Sequence, residues 1–277
     1  MHWDEFSDWG AKISQWAADY HKNLRDRPVR AQTAPGDVAA LLEQSAPETP
    51  QSMQEIMADF ERVVMPGMTH WQHPRFFAYF PANAAPPSML AEMLVSTIAA
   101  QCMLWQTSPA ATEMETVMLD WLRQAIGLPA GFSGVIQDSA SSATLAAVLT
   151  MRERALNWQG NRSGLSGAPR LRIYCSAEVH TSVDRAIWVA GIGQDNLVRI
   201  PICGIRRGMD PVALRAAIEA DIAAGDLPAG VIACTGGTGT GACDDLTAVL
   251  GLAKEFNLYS HVDAAWAGAG MICPEFR

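Results

Sequence analysis

Apolar residues recur at helical spacing in two stretches near the start of the chain. Trp9, Ile13, Trp16, Tyr20 and Leu24 do so within residues 6–24, and Met53, Ile56, Met57, Phe60 and Val64 within residues 51–64. Each set predicts a one-sided helix whose large side chains need a partner surface, either the chain's own body or a second subunit. The periodicity breaks at HPRFFAYFPANAAPPSML: Pro74, Pro81, Pro86 and Pro87 forbid a continuous helix, and aromatic residues crowd from Phe76 to Phe80. That predicts an extended, aromatic-rich loop. From about residue 108 the texture changes again. TEMETVMLDWLRQAIG reads as a helix with Thr112 as N-cap and Glu115 three positions later, ending at Gly127 before Pro129. GVIQ, RIYCS, NLVRIP, GVIACT and LYSHVDAAW are strand candidates. Helices are predicted in DSASSATLAAVLTMRERAL and at 182–190, 211–224 and 245–256. This alternation predicts an α/β fold with a mainly parallel sheet, helices on both faces and ligands at the carboxyl ends of the strands.

Composition narrows the function classes. With 277 residues, 49% hydrophobic and 18% charged, the chain can bury one large core or two unequal domains. A net charge of -9, from 29 acidic against 20 basic residues, leaves no basic stripe for nucleic acid or anionic lipid. The cysteines at 102, 175, 203, 234, 243 and 273 never form C-x-x-C, which suggests reduced thiols and neither a disulfide framework nor a metal site. The start, MHWDEFSDWG, is acidic where a secretory signal is basic, and the longest apolar stretch, residues 84–105, is interrupted by Glu92. A cytoplasmic location is expected.

The strand-end rule gathers the polar residues of interest. Ser139, Ala140 and Ser141 follow GVIQ, His180 follows RIYCS, Thr238 follows GVIACT, and Asp263 stands near the end of LYSHVD. In QDSASSATL, small residues at a helix start expose N–H groups and a partial positive charge, which suits a phosphate. Taken alone, the stretch is better read as Asp138 or Ser139 capping a helix. GGTGTGACDD is not a Walker loop, since Ala242 stands where the lysine belongs. It does fit G-x-G-x-x-A as Gly237, Gly239 and Ala242, with Asp263 about twenty residues on, so an NAD-binding oxidoreductase is the alternative reading. Against it, Asp244 and Asp245 read as the helix start and would oppose a pyrophosphate. A planar imidazole, an acid and a phosphate-type helix start together suit pyridoxal 5'-phosphate, whose ring nitrogen a carboxylate keeps protonated.

Six blocks, HPRFFAYFP, SPAATEMETVMLDWL, GVIQDSASSATL, VHTSVDRA, HVDAAWAGAG and ICPEFR, occur in an order that resembles the group II pyridoxal-phosphate decarboxylases, most closely the aromatic-L-amino-acid decarboxylases. The resemblance runs over nearly the whole chain. It implies a fold type I (aspartate aminotransferase-like) large domain over residues 86–277. A helical, dimer-wrapping segment with the aromatic substrate loop would occupy residues 1–85. By the same resemblance, Ala140 and Ser141 match the phosphate-binding turn, His180 the histidine stacked on the cofactor ring, Thr238 a cofactor contact, Asp263 the pyridinium partner and Ala265 the small residue under the ring. Trp71, Tyr79, Phe80 and Pro81 match the substrate lining, and Gln101 and Met103 match residues that reach the neighbouring subunit's site of a homodimer. The activity implied is decarboxylation of an aromatic L-amino acid to the arylalkylamine and carbon dioxide.

The sequence departs from that pattern in three places. Asp138 stands where animal members carry glycine and is expected to turn away and cap the helix. Gln101, Met103 and Ala82 replace residues that shape the aromatic pocket. The family's Schiff-base lysine has no counterpart, because Lys12, Lys22 and Lys254 match no such block. The 277 residues therefore read as the N-terminal and central part of a decarboxylase, expected to be inactive alone. A non-catalytic binding or dimerisation protein on the same fold is the remaining alternative.

Overall fold

The computed structural model of the chain describes residues 2–81 and 84–277. It divides into two compact units, Met1–Ala100 and Gln101–Arg277. The first takes in the helix that begins at Pro86, so this division falls later than the 85/86 boundary the sequence suggested.

In the first unit the two amphipathic patterns form helix α1 (Trp3–Lys22) and helix α3 (Met53–Asp59), with a single turn α2 (Asp37–Ala40) between them. Helix α3 opens with a capping box: the Ser52 hydroxyl accepts from the Glu55 N–H at 3.2 Å and the Glu55 carboxylate accepts from the Ser52 N–H at 2.8 Å. Its last turn widens into a π-helical segment, Phe60–Val64. Trp16 of α1 meets Phe60 edge-on at 5.1 Å and donates its indole N–H to Glu61, so α1 packs partly on its own unit. Towards its N-terminus α1 is less well covered: Trp3 is 77% exposed and lines, with Phe6, Trp9, Met89 and Met93, an apolar groove of about 990 Å³ against helix α4 (Pro86–Ile98). Pro86 and Pro87 stand at the opening of α4, where the first residues need no N–H partner, and the segment before it is the expected non-helical aromatic loop. Ala82 lies outside the described residues.

The second unit opens with helix α5 (Pro109–Ala125), one turn earlier than expected. Ser108 is its N-cap residue. Thr112 lies inside the helix and returns its hydroxyl to the Ser108 carbonyl, so the Thr112–Glu115 box does not form. Glu115 accepts instead from the Ile136 N–H at 2.8 Å. GVIQ is coil rather than strand, with Val135 and Ile136 exposed, because among the described residues no strand runs beside it to complete a ladder.

After helix α6 (Ala140–Ala155) and the single turn α7 (Gly160–Ser163), the expected alternation appears: β1 (Leu171–Ser176), helix α8 (Ser182–Val189) and β2 (Leu197–Ile200). A short hairpin, β3 (Ile202–Cys203) with β4 (Gly208–Met209), precedes helix α9 (Pro211–Ala223), β5 (Leu227–Cys234), helix α10 (Leu246–Glu255) and β6 (Tyr259–Asp263). The sheet order is β2-β1-β5-β6, every pair parallel. Val148, Met151, Val183 and Ile187 from α6 and α8 pack on one face with Ile173 and Ile232; Leu214, Ile218, Val249 and Leu252 from α9 and α10 pack on the other with Tyr174 and Val231. Each fully buried aliphatic side chain contributes about 1.5–3 kcal/mol. The strands therefore run as apolar, nearly continuous sequences, buried on both faces.

Candidate active site

The direction of α6 decides what meets at the carboxyl edge of the sheet. Met151, late in the helix, lies where a side chain on Gly230, mid-β5 and paired with Tyr259 at the start of β6, would collide, and Arg154 donates to the Asn257 side chain just before β6 at 2.8 Å. The C-terminal half of α6 thus sits over the amino ends of these strands. The helix runs back along them for 16 residues, about 24 Å, and brings its first turn to their carboxyl ends. There Ser139 is the N-cap and accepts from the Ser142 N–H at 3.3 Å. The N–H groups of Ala140 and Ser141 have no partner among the described residues.

Asp138 does not turn away as expected. Its carboxylate accepts from the Ser142 and Ser139 hydroxyls, with the Ser142 bond holding it below the usual carboxylate range, and Ser139 rather than Asp138 caps the helix. Geometry explains this: two hydroxyls and a helix dipole offer an exposed carboxylate more than open solvent does.

Asp263 is the last residue of β6 and the register partner of Cys234 at the end of β5. Tyr259 packs with α6 while Val262 packs with α9 and α10, so strand alternation puts Asp263 on the α6 side. It is half-buried. Its backbone carbonyl accepts from the Thr235 N–H at 2.9 Å and its Oδ1 from the Ala265 N–H at 3.2 Å. Oδ2 accepts nothing among the described residues. Ala265, directly after the bend, is exposed and small. Beside this carboxylate, burial pushes the Cys234 thiol up to about 12, with the charges of Asp244 and Asp263 adding to it.

His180 sits in the β1–α8 loop, half-buried. The buried Ser182 fixes its ring: the Ser182 N–H donates to Nδ1 at 3.2 Å and the Ser182 hydroxyl lies 2.9 Å from the same nitrogen. With Nδ1 accepting, the ring proton belongs on Nε2, facing away from that contact. Thr238 lies in the glycine-rich turn after β5, its hydroxyl without a partner among the described residues. That turn closes by the Thr235–Cys243 bridge, and α10 begins only at Leu246 behind an Asp245 cap. Gly237 and Gly239 therefore do not stand at a helix start, which removes the geometry a dinucleotide fingerprint needs. Asp244, read from sequence as a helix start, is buried and accepts from the Met209 and Cys234 N–H groups, each at 2.6 Å.

The carboxyl edge of this sheet thus joins an anion-accepting helix start, a strand-end carboxylate with a free oxygen, a fixed imidazole and a glycine turn. Such an edge can hold a phosphate at one end of a planar ring and a protonated nitrogen at the other. Sequence reasoning missed Ser182, for which the H-x-S spacing at His180 was the available signal, and the supporting carboxylates Asp244 and Glu178, for which there was none. In the other unit, Trp71 stacks with Phe76 at 5.2 Å and with Tyr79 at 5.3 Å. Phe80 and Pro81 follow, both exposed, and Tyr79 has φ 55°, an uncommon backbone for an aromatic residue. Gln101 and Met103 lie in the irregular segment before α5 and are exposed. Among the described residues there is no group of three or more His, Cys, Asp or Glu placed to hold a metal, and no helix long and apolar enough to cross a membrane.

Comparison with known proteins gives a consistent result. Residues 35–277 match the family model described as the pyridoxal-dependent decarboxylase conserved domain. The aromatic-L-amino-acid decarboxylase of Sus scrofa is 40% identical over 289 residues, covering 100% of this chain and 59% of that protein. Catharanthus roseus tryptophan decarboxylase in complex with L-tryptophan superposes with a TM-score of 0.93 at 36% identity, over 100% of this chain and 60% of that one. Oryza sativa tryptophan decarboxylase with pyridoxal phosphate and tryptamine gives 0.92 at 33% identity, over 99% and 60%. The chain thus spans about three-fifths of the length of these relatives.

Proposed function

The chain belongs to the pyridoxal-dependent decarboxylase family, and from that membership we propose that the complete protein is a carboxy-lyase converting an aromatic L-amino acid to its arylalkylamine and carbon dioxide. The observation that carries the reading is the meeting, at one sheet edge, of the unpaired Ala140 and Ser141 N–H groups with the free oxygen of Asp263. These groups suit the two polar ends of pyridoxal 5'-phosphate, with the exposed Asp138 carboxylate at the same helix start the one group there that opposes its phosphate. When bound, that cofactor supplies a protonated pyridine ring able to accept the electron pair left behind as carbon dioxide departs.

The chain's own residues have separable tasks. Ala140 and Ser141 bind the phosphate through backbone N–H groups, reinforced by the positive end of α6. Asp263 holds the proton on the ring nitrogen through an ion pair, which needs its carboxylate ionised. His180, oriented by Ser182, would stack on the cofactor ring and keep its Nε2–H available to the substrate. Thr238 contacts the cofactor, and Ala265 leaves room for the ring. Trp71, Tyr79, Phe80 and Pro81 provide the aromatic substrate surface. Gln101 and Met103 reach the site of a second subunit in a homodimer, for which the unfilled apolar groove of the first unit is the supporting feature. The net charge of -9 supports an enzyme without nucleic-acid or anionic-membrane partners, for which a cytoplasmic location is proposed. Lys254, in the last turn of α10, stands at the amino end of β6, away from Asp263, and Lys12 and Lys22 belong to α1. The 277 residues alone are accordingly expected not to turn over.

Asp263→Ala in the complete protein tests the assignment. Turnover should fall on the order of a hundredfold or more, since a preorganised charge at the reacting system is removed. Cofactor affinity should fall with it. Near-normal turnover would defeat the reading.

A further inference from the structure

The loop that carries His180 and the turn that carries Thr238 belong to different crossovers, yet they touch at one residue. Glu178 lies two positions before His180, and its side chain is only 12% exposed. Its Oε2 accepts from the Thr240 hydroxyl at 2.6 Å, and Thr240 is two positions after Thr238. Its Oε1 accepts from the Arg207 guanidinium, also at 2.6 Å, at the tip of the β3–β4 hairpin. The Thr240 and Arg207 bonds, in that order, hold the carboxyl below its usual range. An independent contact comes from the backbone. A side chain on Gly237 would stand 2.9 Å from the Glu178 carbonyl oxygen, so the glycine turn lies directly on the Glu178 main chain. On its inner side the loop is anchored by buried Val179 in the core and by the Ser176 hydroxyl, which accepts from the Glu178 N–H at 3.2 Å.

We propose that Glu178 is a positioning residue for the cofactor site: its carboxylate fastens the His180 loop to the Thr238 turn and thereby fixes the spacing of the two groups that face the cofactor. This rests on the reading that pyridoxal 5'-phosphate binds at this sheet edge. Glu178 itself touches neither ring nor substrate and takes no part in bond making. Its role differs from that of Asp244, which ties the same turn to the strands from below through two buried N–H groups. Glu178 ties it sideways, loop to loop, across the mouth of the site. Thr240 is the specific partner, because it is the group of the Thr238 turn whose side chain reaches across.

The test uses the complete protein, stripped of cofactor and titrated with pyridoxal 5'-phosphate. The dissociation constant and the visible circular dichroism of the bound cofactor are read alongside the melting temperature of the cofactor-free form. Glu178→Ala and Thr240→Val should each weaken binding about tenfold and change the dichroic signal, with the double variant little worse than either single one, as expected for two groups acting through one bond. Glu178→Gln keeps an acceptor for Thr240 and should restore most of the affinity and the signal. Thr240→Val preserves volume, so it serves if Glu178→Ala fails to fold. Wild-type affinity and dichroism in Thr240→Val and Glu178→Ala would overturn the proposal while leaving the site assignment intact. If the unaltered protein takes up no cofactor, or Asp263→Ala binds it as tightly, the site assignment fails and this proposal with it.

Discussion

Tyr174 shows how a single hydroxyl stabilises the end of the sheet opposite the site. The side chain is fully buried, and its hydroxyl donates to Asp221 at 2.8 Å, where Arg172 also pairs with that carboxylate at 3.1 Å. Burial, then the Asp221 bond and charge, push the phenol well above its usual value, so it stays a donor at any physiological pH. Tyr174→Phe keeps the ring and removes one charge-assisted bond; a loss of about 1–2 kcal/mol is expected in urea unfolding, with cofactor affinity unchanged. His70 gives a pH signature. It is buried, lies 2.8 Å from the Tyr20 hydroxyl, and is held below an ordinary imidazole by burial first and then by the charges of Arg27 and His73. The unfolded chain therefore binds this proton more readily than the folded one. The stability His70 contributes is complete above about pH 6.5 and is lost as pH falls through its depressed folded value. Urea midpoints measured from pH 7.5 down to 5 should decline, and the decline should shrink in His70→Asn.

Among the elements, α6 on β5 is the contact that sets the site, because it fixes where the helix start lies. A side chain on Gly230 would stand 2.5 Å from the Met151 sulfur and 3.0 Å from the Tyr259 carbonyl. Gly230→Ala should destabilise by about 1–3 kcal/mol and, by displacing α6, weaken cofactor binding more than the stability loss alone explains. Parallel titrations of stability and cofactor affinity check this. The parallel strands were legible in the sequence because burial on both faces demands continuous apolar runs, and RIYCS, NLVRIP, GVIACT and LYSHVD all became paired strands. GVIQ is similarly apolar but has no strand neighbour among the described residues, and pairing is a property that one segment's residues do not carry. The cap of α5 misled for a related reason: Thr112 and Glu115 have the right spacing, but Pro109 can open a helix and moves its start to Ser108. At the site, residues defined by position after a strand were legible, whereas Glu178 and Asp244 act through contacts 62 and 35 residues away in sequence and were not.

Across the molecule, apolar stripes without cover appear in each unit. On α4, Leu90, Leu94 and Ile98 recur every four residues and are 60%, 65% and 71% exposed. On α5, Met114, Met118 and Trp121 form a second stripe, exposed 66%, 50% and 61%. Residues at these spacings share one helix face, so each stripe is continuous rather than a scatter of single apolar side chains. A monomer in water rarely leaves several such faces open, because each is a surface whose burial is favourable at roughly 25 cal/mol per Å². The net charge of -9 slows non-specific association but does not cover apolar area. The 277-residue chain, made alone, is therefore expected to self-associate, running in sedimentation at masses above its 29.9 kDa and melting without a sharp transition. The complete protein should instead sediment as a discrete dimer whose melting sharpens with concentration and with added pyridoxal 5'-phosphate. A monodisperse 277-residue monomer with one cooperative transition would show that these faces need no partner, and would remove the support that the groove lends to a homodimer.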